Sequence, residues 1–383
     1  MRTTKAIIHL DRLRGNICAV RAHLGNGVGP ALCMPVKADA YGHGAARVAE
    51  EAVKSGVEYL AVATVDEGLE LRDAGISSPM LLFSQPIRQE LEAAARARLV
   101  PFTGDAEAAE LFAAAAETAM KDEAKTGGGA ERRRVFLKID TGMGRMGCRP
   151  EEAPALAALI AGHPALIYAG TATHLAVSDS ADADAVEYTR LQITRFKTAL
   201  EGIRGRGIDP GIVTAANTGA TVSHPEAWFD MARPGILLYG YPPDGVTPRL
   251  PVRPVMELET SVVAIKRIAR GESVSYGRTW TAPQDTTIGV LPVGYGDGLP
   301  RRLSGNFSVM IGGKSYPVVG RICMDQCMVD LGPSPDIERF AAVSVFGGSL
   351  AGALDAAEIA RRTGTIPYEI TCGITKRVPR VYR

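Results

Sequence analysis

A single lysine, Lys37, ends a short apolar run from Ala31 to Val36 and is followed by Ala38-Asp39-Ala40-Tyr41-Gly42-His43-Gly44. The run reads as a buried strand, and a helical pattern resumes near Ala45. Barrels and open parallel sheets place their chemistry where such strands end. Burial disfavours a charged ammonium, and a neutral amine is a nucleophile able to form a Schiff base. The same lysine could equally cap the strand and pair with Asp39. The stretch alone leaves those two readings level.

Other polar residues follow later apolar runs. Lys138, Asp140 and the glycine-rich Thr141-Gly142-Met143-Gly144-Arg145 follow one; His174 follows the next. Asn217 and Thr218 open a short helical stretch, and Arg233-Pro234-Gly235-Ile236 closes the series. Free backbone N–H groups at such helix starts form an anion site. Barrels bind phosphate there, after their seventh and eighth strands. An amine nucleophile opposite a phosphate cradle suggests pyridoxal phosphate. Each residue also has a plainer reading. Arg233 could form an ion pair at the barrel bottom, His174 could be a packed polar residue, and Arg145 could close its loop onto Asp140.

The elements that must position these groups alternate. Strands are expected at 31–37, 59–63, 80–83, 100–103, 134–139, 165–171, 212–215 and 229–232, with helices between them. This alternation implies a parallel sheet and suggests an α/β fold with an N-terminal (β/α)8 TIM-type barrel. An open doubly wound sheet is the alternative. Neither GxGxxG after a first strand nor GxxxxGK[ST] occurs, which weakens a nucleotide-binding reading. Residues 122–131 look like a surface insertion.

The texture changes at Tyr241-Pro242-Pro243-Asp244-Gly245. Beyond it, short strands alternate with turns, Gly312-Gly313 marks a hairpin, and only Asp355–Thr363 looks helical. The expected division is residues 1–244 for the barrel and 245–383 for a mostly-β domain. It remains open whether residues 1–10 pack with that second domain. Three polar clusters stand in its turns: Ser275-Tyr276-Gly277, Gly294-Tyr295-Gly296-Asp297-Gly298 and Cys323-Met324-Asp325-Gln326-Cys327. Composition alone favours a structural role for them.

The bulk numbers narrow the class. The chain has 383 residues, a formal net charge of +1 and 46% hydrophobic residues, which speaks against nucleic-acid or membrane partners. No apolar run approaches transmembrane length, and the N-terminus lacks a signal-peptide core. Six cysteines are scattered without CxxC or zinc spacing, so reduced thiols, no metal and a cytoplasmic location are expected.

Taken in order, these motifs resemble the bacterial alanine racemase family over nearly the whole chain. The matching stretches are MPVKADAYGHG (34–44), LKIDTGMGRMG (137–147), ATHLA (172–176), AANTGA (215–220), MARPGILLYG (231–240), VSYGRTW (274–280), VGYGDG (293–298), GRICMDQCMVD (320–330) and the closing TKRVPRVYR. The resemblance implies a head-to-tail homodimer with shared active sites, pyridoxal 5′-phosphate as cofactor, alanine as substrate and D-alanine supplied for peptidoglycan. It implies that Lys37 holds the cofactor and acts as one catalytic base, with Tyr276 of the other chain as the second. Tyr41, Thr218, Gly235, Ile236 and Tyr368 would hold the phosphate, with Asn217 beside them. Arg233 would face the pyridine nitrogen, steadied by His174, and Arg145 would lie on the ring-oxygen side. Tyr295, Met324, Asp325 and Arg145 would contact substrate, and Lys138 matches a lysine often carbamylated in the family. Thr218 stands where many members have serine, and the 104–133 segment is longer than expected. A broader racemase acting on serine or lysine, and a pyridoxal-phosphate-dependent basic amino-acid decarboxylase, are the alternatives. Arg233 argues against the decarboxylase, which expects a carboxylate at the pyridine nitrogen. A non-catalytic cofactor carrier would need only the barrel.

Overall fold

Eight short parallel strands carry the first part of the chain: β2 (Ala31–Pro35), β3 (Tyr59–Val62), β4 (Met80–Leu82), β5 (Val100–Thr103), β6 (Arg133–Lys138), β7 (Leu166–Ala172), β8 (Ile212–Thr214) and β9 (Met231–Ala232). They follow β1 (Lys5–Ile8), which lies elsewhere. The computed structural model describes residues 2–383 except 26, 128, 245–247 and 348–352. The strands run in the order β8-β7-β6-β5-β4-β3-β2-β9, so the last pairs with the first of the set, Ala31 opposite Met231. The ring closes between β8 and β9 through single bonds. The Asp230 N–H donates to the Val213 carbonyl at 3.0 Å, and the Asp230 carboxylate accepts the Val213 N–H at 2.8 Å. The Arg233 N–H reaches the Ala216 carbonyl at 2.8 Å. This is a (β/α)8 barrel.

Helices cover its outside, and their starts follow from the sequence. Thr64 and Glu67 form a capping box on Val65–Asp73, and Asp105 caps the long helix Ala106–Lys125 by accepting the Ala108 N–H. That helix runs into the stretch expected to be an insertion, of which Gly128 lies outside the described residues. Inside the barrel, Cys33, Ala61, Leu81, Val100, Phe102, Phe136, Ala172 and Met231 form one packed cluster. Phe102 stacks on Phe136 at 5.6 Å and meets Phe83 at 5.3 Å. The interior is therefore a filled core, and a cavity opens where the strands end.

Among the described residues, the second sheet has nine strands. It comprises β1 and β10 (Met256–Ser261), β11 (Ala264–Ile268), β14 (Thr286–Leu291), β15 (Ser308–Ile311), β16 (Lys314–Val319), β17 (Cys327–Gly332), β18 (Ala342–Phe346) and β19 (Arg380–Tyr382). A small ribbon, β12 (Ser273–Val274) with β13 (Trp280–Thr281), stands apart from it. β1 lies between β10 and β19, joining both chain ends to this sheet. The expectation of a single late helix needs correction, because Pro367–Cys372 is also helical. Six residues are too few to show a helical period, and only the proline at its first turn signals it. Gly245, at the expected boundary, lies outside the described residues. Among the described residues no helix is long and apolar enough to cross a membrane.

Candidate active site

A cavity of about 830 Å³ opens at the C-terminal ends of the barrel strands. Lys37, Tyr41, Lys138, Arg145, His174, Asn217, Thr218, Arg233, Gly235, Ile236 and Tyr368 all line it. The first ten come from the ends of five strands and the loops that follow them, and Tyr368 comes from the helix Pro367–Cys372. The barrel thus gathers residues up to 199 positions apart in the chain.

Lys37 stands just past the end of β2, at the head of an unusual turn. Ala38, Asp39, Ala40 and Tyr41 all have left-handed backbone, with φ of 51°, 54°, 52° and 54°. None is glycine, so each costs roughly 1–2 kcal/mol relative to right-handed backbone. Hydrogen bonds offset that cost. The Ala40 N–H donates to the Val36 carbonyl at 2.8 Å, and the Ala38 N–H donates to Glu67 Oε1 at 2.7 Å. Asp39 Oδ1 accepts the Ala45 N–H at 2.8 Å, and Arg380 Nε donates to the Gly42 carbonyl at 3.0 Å. Asp39 is thus engaged as a cap, and among the described residues Lys37 forms no ion pair with it. Burial first, then the Arg145 guanidinium, lowers the Lys37 pKa. The nearby Glu67 carboxylate opposes that shift.

The other charged groups share this field. Lys138 is 6% exposed; burial, Arg233 and Arg145 hold its pKa well below the ordinary lysine range. Arg233 lies over the Phe83 ring at 5.9 Å and donates to the Thr173 carbonyl at 2.7 Å and to Thr214 Oγ1. Its Nη2 stands 3.5 Å from His174 Nδ1. It sits at the cavity, not in a barrel-bottom ion pair. Burial, followed by Lys138 and Arg233, keeps the His174 imidazole neutral. Asp140 accepts the N–H groups of Gly142 and Gly144, so its loop closes on backbone and not on Arg145.

The same cavity is lined by a set of neutral polar groups. Asn217 caps Thr218–Ser223, accepting the Ala220 N–H at 3.2 Å and Ser178 Oγ at 2.6 Å. Thr218 Oγ1 accepts the Gly235 N–H at 2.9 Å. Burial raises the Tyr368 phenol, while hydrogen bonding to Thr218 and the Ile236 N–H opposes that. Gly235 must lack a side chain, because a Cβ there would stand 2.8 Å from the Tyr41 hydroxyl. Behind these, Tyr41 stacks on Tyr239 at 4.9 Å.

Tyr276, Tyr295, Met324 and Asp325 are not part of this cavity. They gather instead on the β domain. Ser275 Oγ donates to the Arg321 carbonyl at 2.6 Å; the Tyr295 and Gly296 N–H groups donate to the carbonyls of Cys323 and Met324 at 3.1 and 2.8 Å. A Cβ on Gly294 would meet the Cys323 carbonyl at 2.3 Å, so that close approach requires glycine. Tyr276, Tyr295 and Met324 are exposed. Asp297 and Asp325 stood in the polar clusters read from the sequence, but their arginine partners were not singled out there. Asp297 is buried and takes a two-pronged ion pair from Arg2 at 2.5 and 2.7 Å, and Arg377 pairs with Asp325 at 2.6 Å. Arginines and aspartates paired across such distant stretches leave no local signal.

Comparison with known proteins agrees with this geometry. Residues 8–243 match the description "alanine racemase, N-terminal domain", and residues 255–382 match "alanine racemase, C-terminal domain". The chain is 46% identical to alanine racemase of Treponema denticola, covering 100% of this chain and 98% of that one. It is 45% identical to alanine racemase of Treponema pallidum over the full length of both. Among solved structures, alanine racemase of Clostridium difficile superposes with a TM-score of 0.91 at 36% identity, covering 100% of this chain and 96% of that one. Alanine racemase of Bacillus anthracis with bound L-Ala-P superposes with a TM-score of 0.87 at 31% identity, covering 100% and 95%. The barrel, the β domain and the residues brought to the cavity all accord with these matches, and the chain belongs to the alanine racemase family.

Proposed function

We propose that this racemase interconverts L- and D-alanine using pyridoxal 5′-phosphate held in the barrel mouth. One observation carries the reading. Lys37, Lys138, Arg145 and Arg233 meet in one cavity without an ion pair among the described residues, facing a seat of hydroxyl and N–H donors. Such a site is suited to a phosphate and an oxygen-bearing ring. The donors fit: Thr218, Gly235, Ile236, Tyr41 and Tyr368 would hold the phosphate. Arg233 and Arg145 would flank the ring, and Asn217 would brace the seat. Lys138 is the candidate for carbamylation, which would remove its positive charge and give Arg145 an anionic brace.

Bound pyridoxal phosphate supplies an electron sink for the carbanion left when an α-proton departs. The chain's own residues decide which face that proton leaves from and returns to. The Lys37 amine, with its pKa lowered, takes or returns the proton on one face. Tyr276 does so on the other. Burial lowers Arg233 to about 10, so the guanidinium keeps its proton at neutral pH. It would leave a ring nitrogen beside it unprotonated, weaken the sink and favour prompt reprotonation over other fates of the carbanion.

Tyr276, Tyr295, Met324 and Asp325 reach a barrel mouth if two protomers pair head to tail, each β-domain patch closing the other's cavity. Their exposure on a single protomer supports that reading, since clustered exposed apolar groups mark contact surfaces. We also take the chain to divide near residues 244–245 into barrel and β domain. The six unpaired cysteines suit a reducing cytoplasm, where D-alanine would feed peptidoglycan.

The test incubates the protein with L-alanine in deuterated water. D-alanine carrying α-deuterium is the expected product. Release of carbon dioxide from lysine or ornithine, without exchange into alanine, would overturn the proposal.

A further inference from the structure

The chemistry above makes no use of His43, which is wholly buried behind the left-handed turn. Its Nδ1 lies 3.0 Å from the Ala40 carbonyl and 2.9 Å from the Tyr41 carbonyl. Carbonyl oxygens only accept, so the imidazole proton sits on Nδ1. Among the described residues, Nε2 is buried without a partner. A buried polar atom left unpaired is costly, which makes this ring hard to explain as filler. Its face packs on Tyr239 at 4.7 Å. Tyr239 stacks in turn on Tyr41 and donates its hydroxyl to the Pro35 carbonyl at 2.9 Å. The ring thus touches both the backbone of the turn and, through Tyr239, the end of the strand that delivers Lys37.

We propose that His43 is a positioning residue for racemisation: its Nδ1–H clamps the Ala40 and Tyr41 carbonyls and so fixes the spacing between the Lys37 amine and the phosphate seat at Tyr41. The proposal rests on the cofactor reading above. It explains why four residues with side chains hold a left-handed conformation here. A relaxed, right-handed turn would swing Tyr41 away from Thr218 and Gly235 or Lys37 out of the cavity. The neutral ring does this without adding another positive charge to a site already crowded with them.

Two measurements test it. Nitrogen NMR of histidine-labelled wild-type protein, with the His43 signal assigned by its loss in a variant, should find the proton on Nδ1 with and without pyridoxal phosphate. A proton on Nε2 overturns the clamp and needs no variant to fold. The second compares His43→Asn, which keeps an N–H near the Nδ1 position, with His43→Gln, which moves it toward Nε2. His43→Asn should keep the pyridoxal phosphate Kd within about threefold of wild type. His43→Gln should weaken it by roughly tenfold and lower kcat with little change in the KM for alanine. Equal losses in two folded variants would reduce His43 to a space-filling role and overturn the proposal. Failure of wild-type protein to bind pyridoxal phosphate would strike the cofactor reading, while the tautomer would still report on the clamp.

Discussion

At the barrel mouth, Lys138, Thr218 and Arg233 are each less than a tenth exposed, and backbone or side-chain partners fix Thr218 and Arg233. On the β domain, Tyr276 and Met324 are 72% and 52% exposed, and Tyr276 and Tyr295 ride on single 3₁₀ turns. The first region is cationic, enclosed and organised before any ligand arrives. The second is aromatic and open, and what holds it is a buried Asp297 paired with Arg2 together with an exposed Arg377–Asp325 pair. The contrast teaches that the barrel cavity is lined by this chain's own residues, whereas the β-domain patch has no cover of its own among the described residues. Lys37 has its environment built in by the cavity, whereas the exposed Tyr276 phenol would acquire one only from whatever covers it.

The largest expected effect lies on the enclosed side. Lys37→Ala should lower racemisation at least about 10³-fold and abolish borohydride trapping of pyridoxal phosphate on the chain. Label recovered on a different lysine would remove Lys37 from its role. On the open side, Tyr276→Phe should cost about 10²–10⁴-fold. Deuterium washout should show it slowing proton removal from one enantiomer more than from the other. Mixed with Lys37→Ala chains it should recover activity, because a heterodimer then carries one intact site. No recovery in verified heterodimers would mean that the two regions do not meet between protomers.

The supports differ as well. Arg2→Ala strips Asp297 of its two-pronged partner and leaves a buried carboxylate with Arg377 at 3.5 Å. Urea unfolding should report a loss of about 3 kcal/mol or more, and unchanged stability would show that the patch needs no such brace. The enclosed side should respond to acid instead. Burial lowers His43 to about 4, against about 6.5 in an unfolded chain. The unfolded chain therefore binds that proton first as the pH falls. The stabilisation is complete above about 6.5 and is lost on descent toward 4, by no more than about 3 kcal/mol. The stability difference between wild type and His43→Asn should shrink over that window; a constant difference would refute it. The smallest effect is expected at the proposed phosphate seat, where Thr218→Ser keeps the hydroxyl and should change cofactor affinity less than about threefold. A larger change would mean that the methyl group packs against the ligand.

Much of this was legible in one dimension. The alternation of apolar and helical segments reports which residues face a core, and that periodicity is local, so the eight barrel strands could be located from it. The residues at strand ends could be read the same way, because a barrel sends every such end to a single face. The short helix Pro367–Cys372 escaped, since six residues barely complete a turn and a half. Arg2 with Asp297, 295 positions apart, escaped because nothing local couples them.

What the sequence by itself determined is the set of chemical groups, the βα order that delivers them to one mouth, and the change from alternating strands and helices to a mostly-β second part. What only the tertiary structure decided is the hand of the turn after Lys37, the placement of β1 in the second sheet, and the exposure of Tyr276. No local preference puts Ala38–Tyr41 in left-handed backbone; Glu67 and Arg380 hold it there from distant stretches, and His43 bonds to it from two residues beyond. Propensity and pattern are properties of neighbours along the chain, while strain is sustained only by contacts that folding brings together.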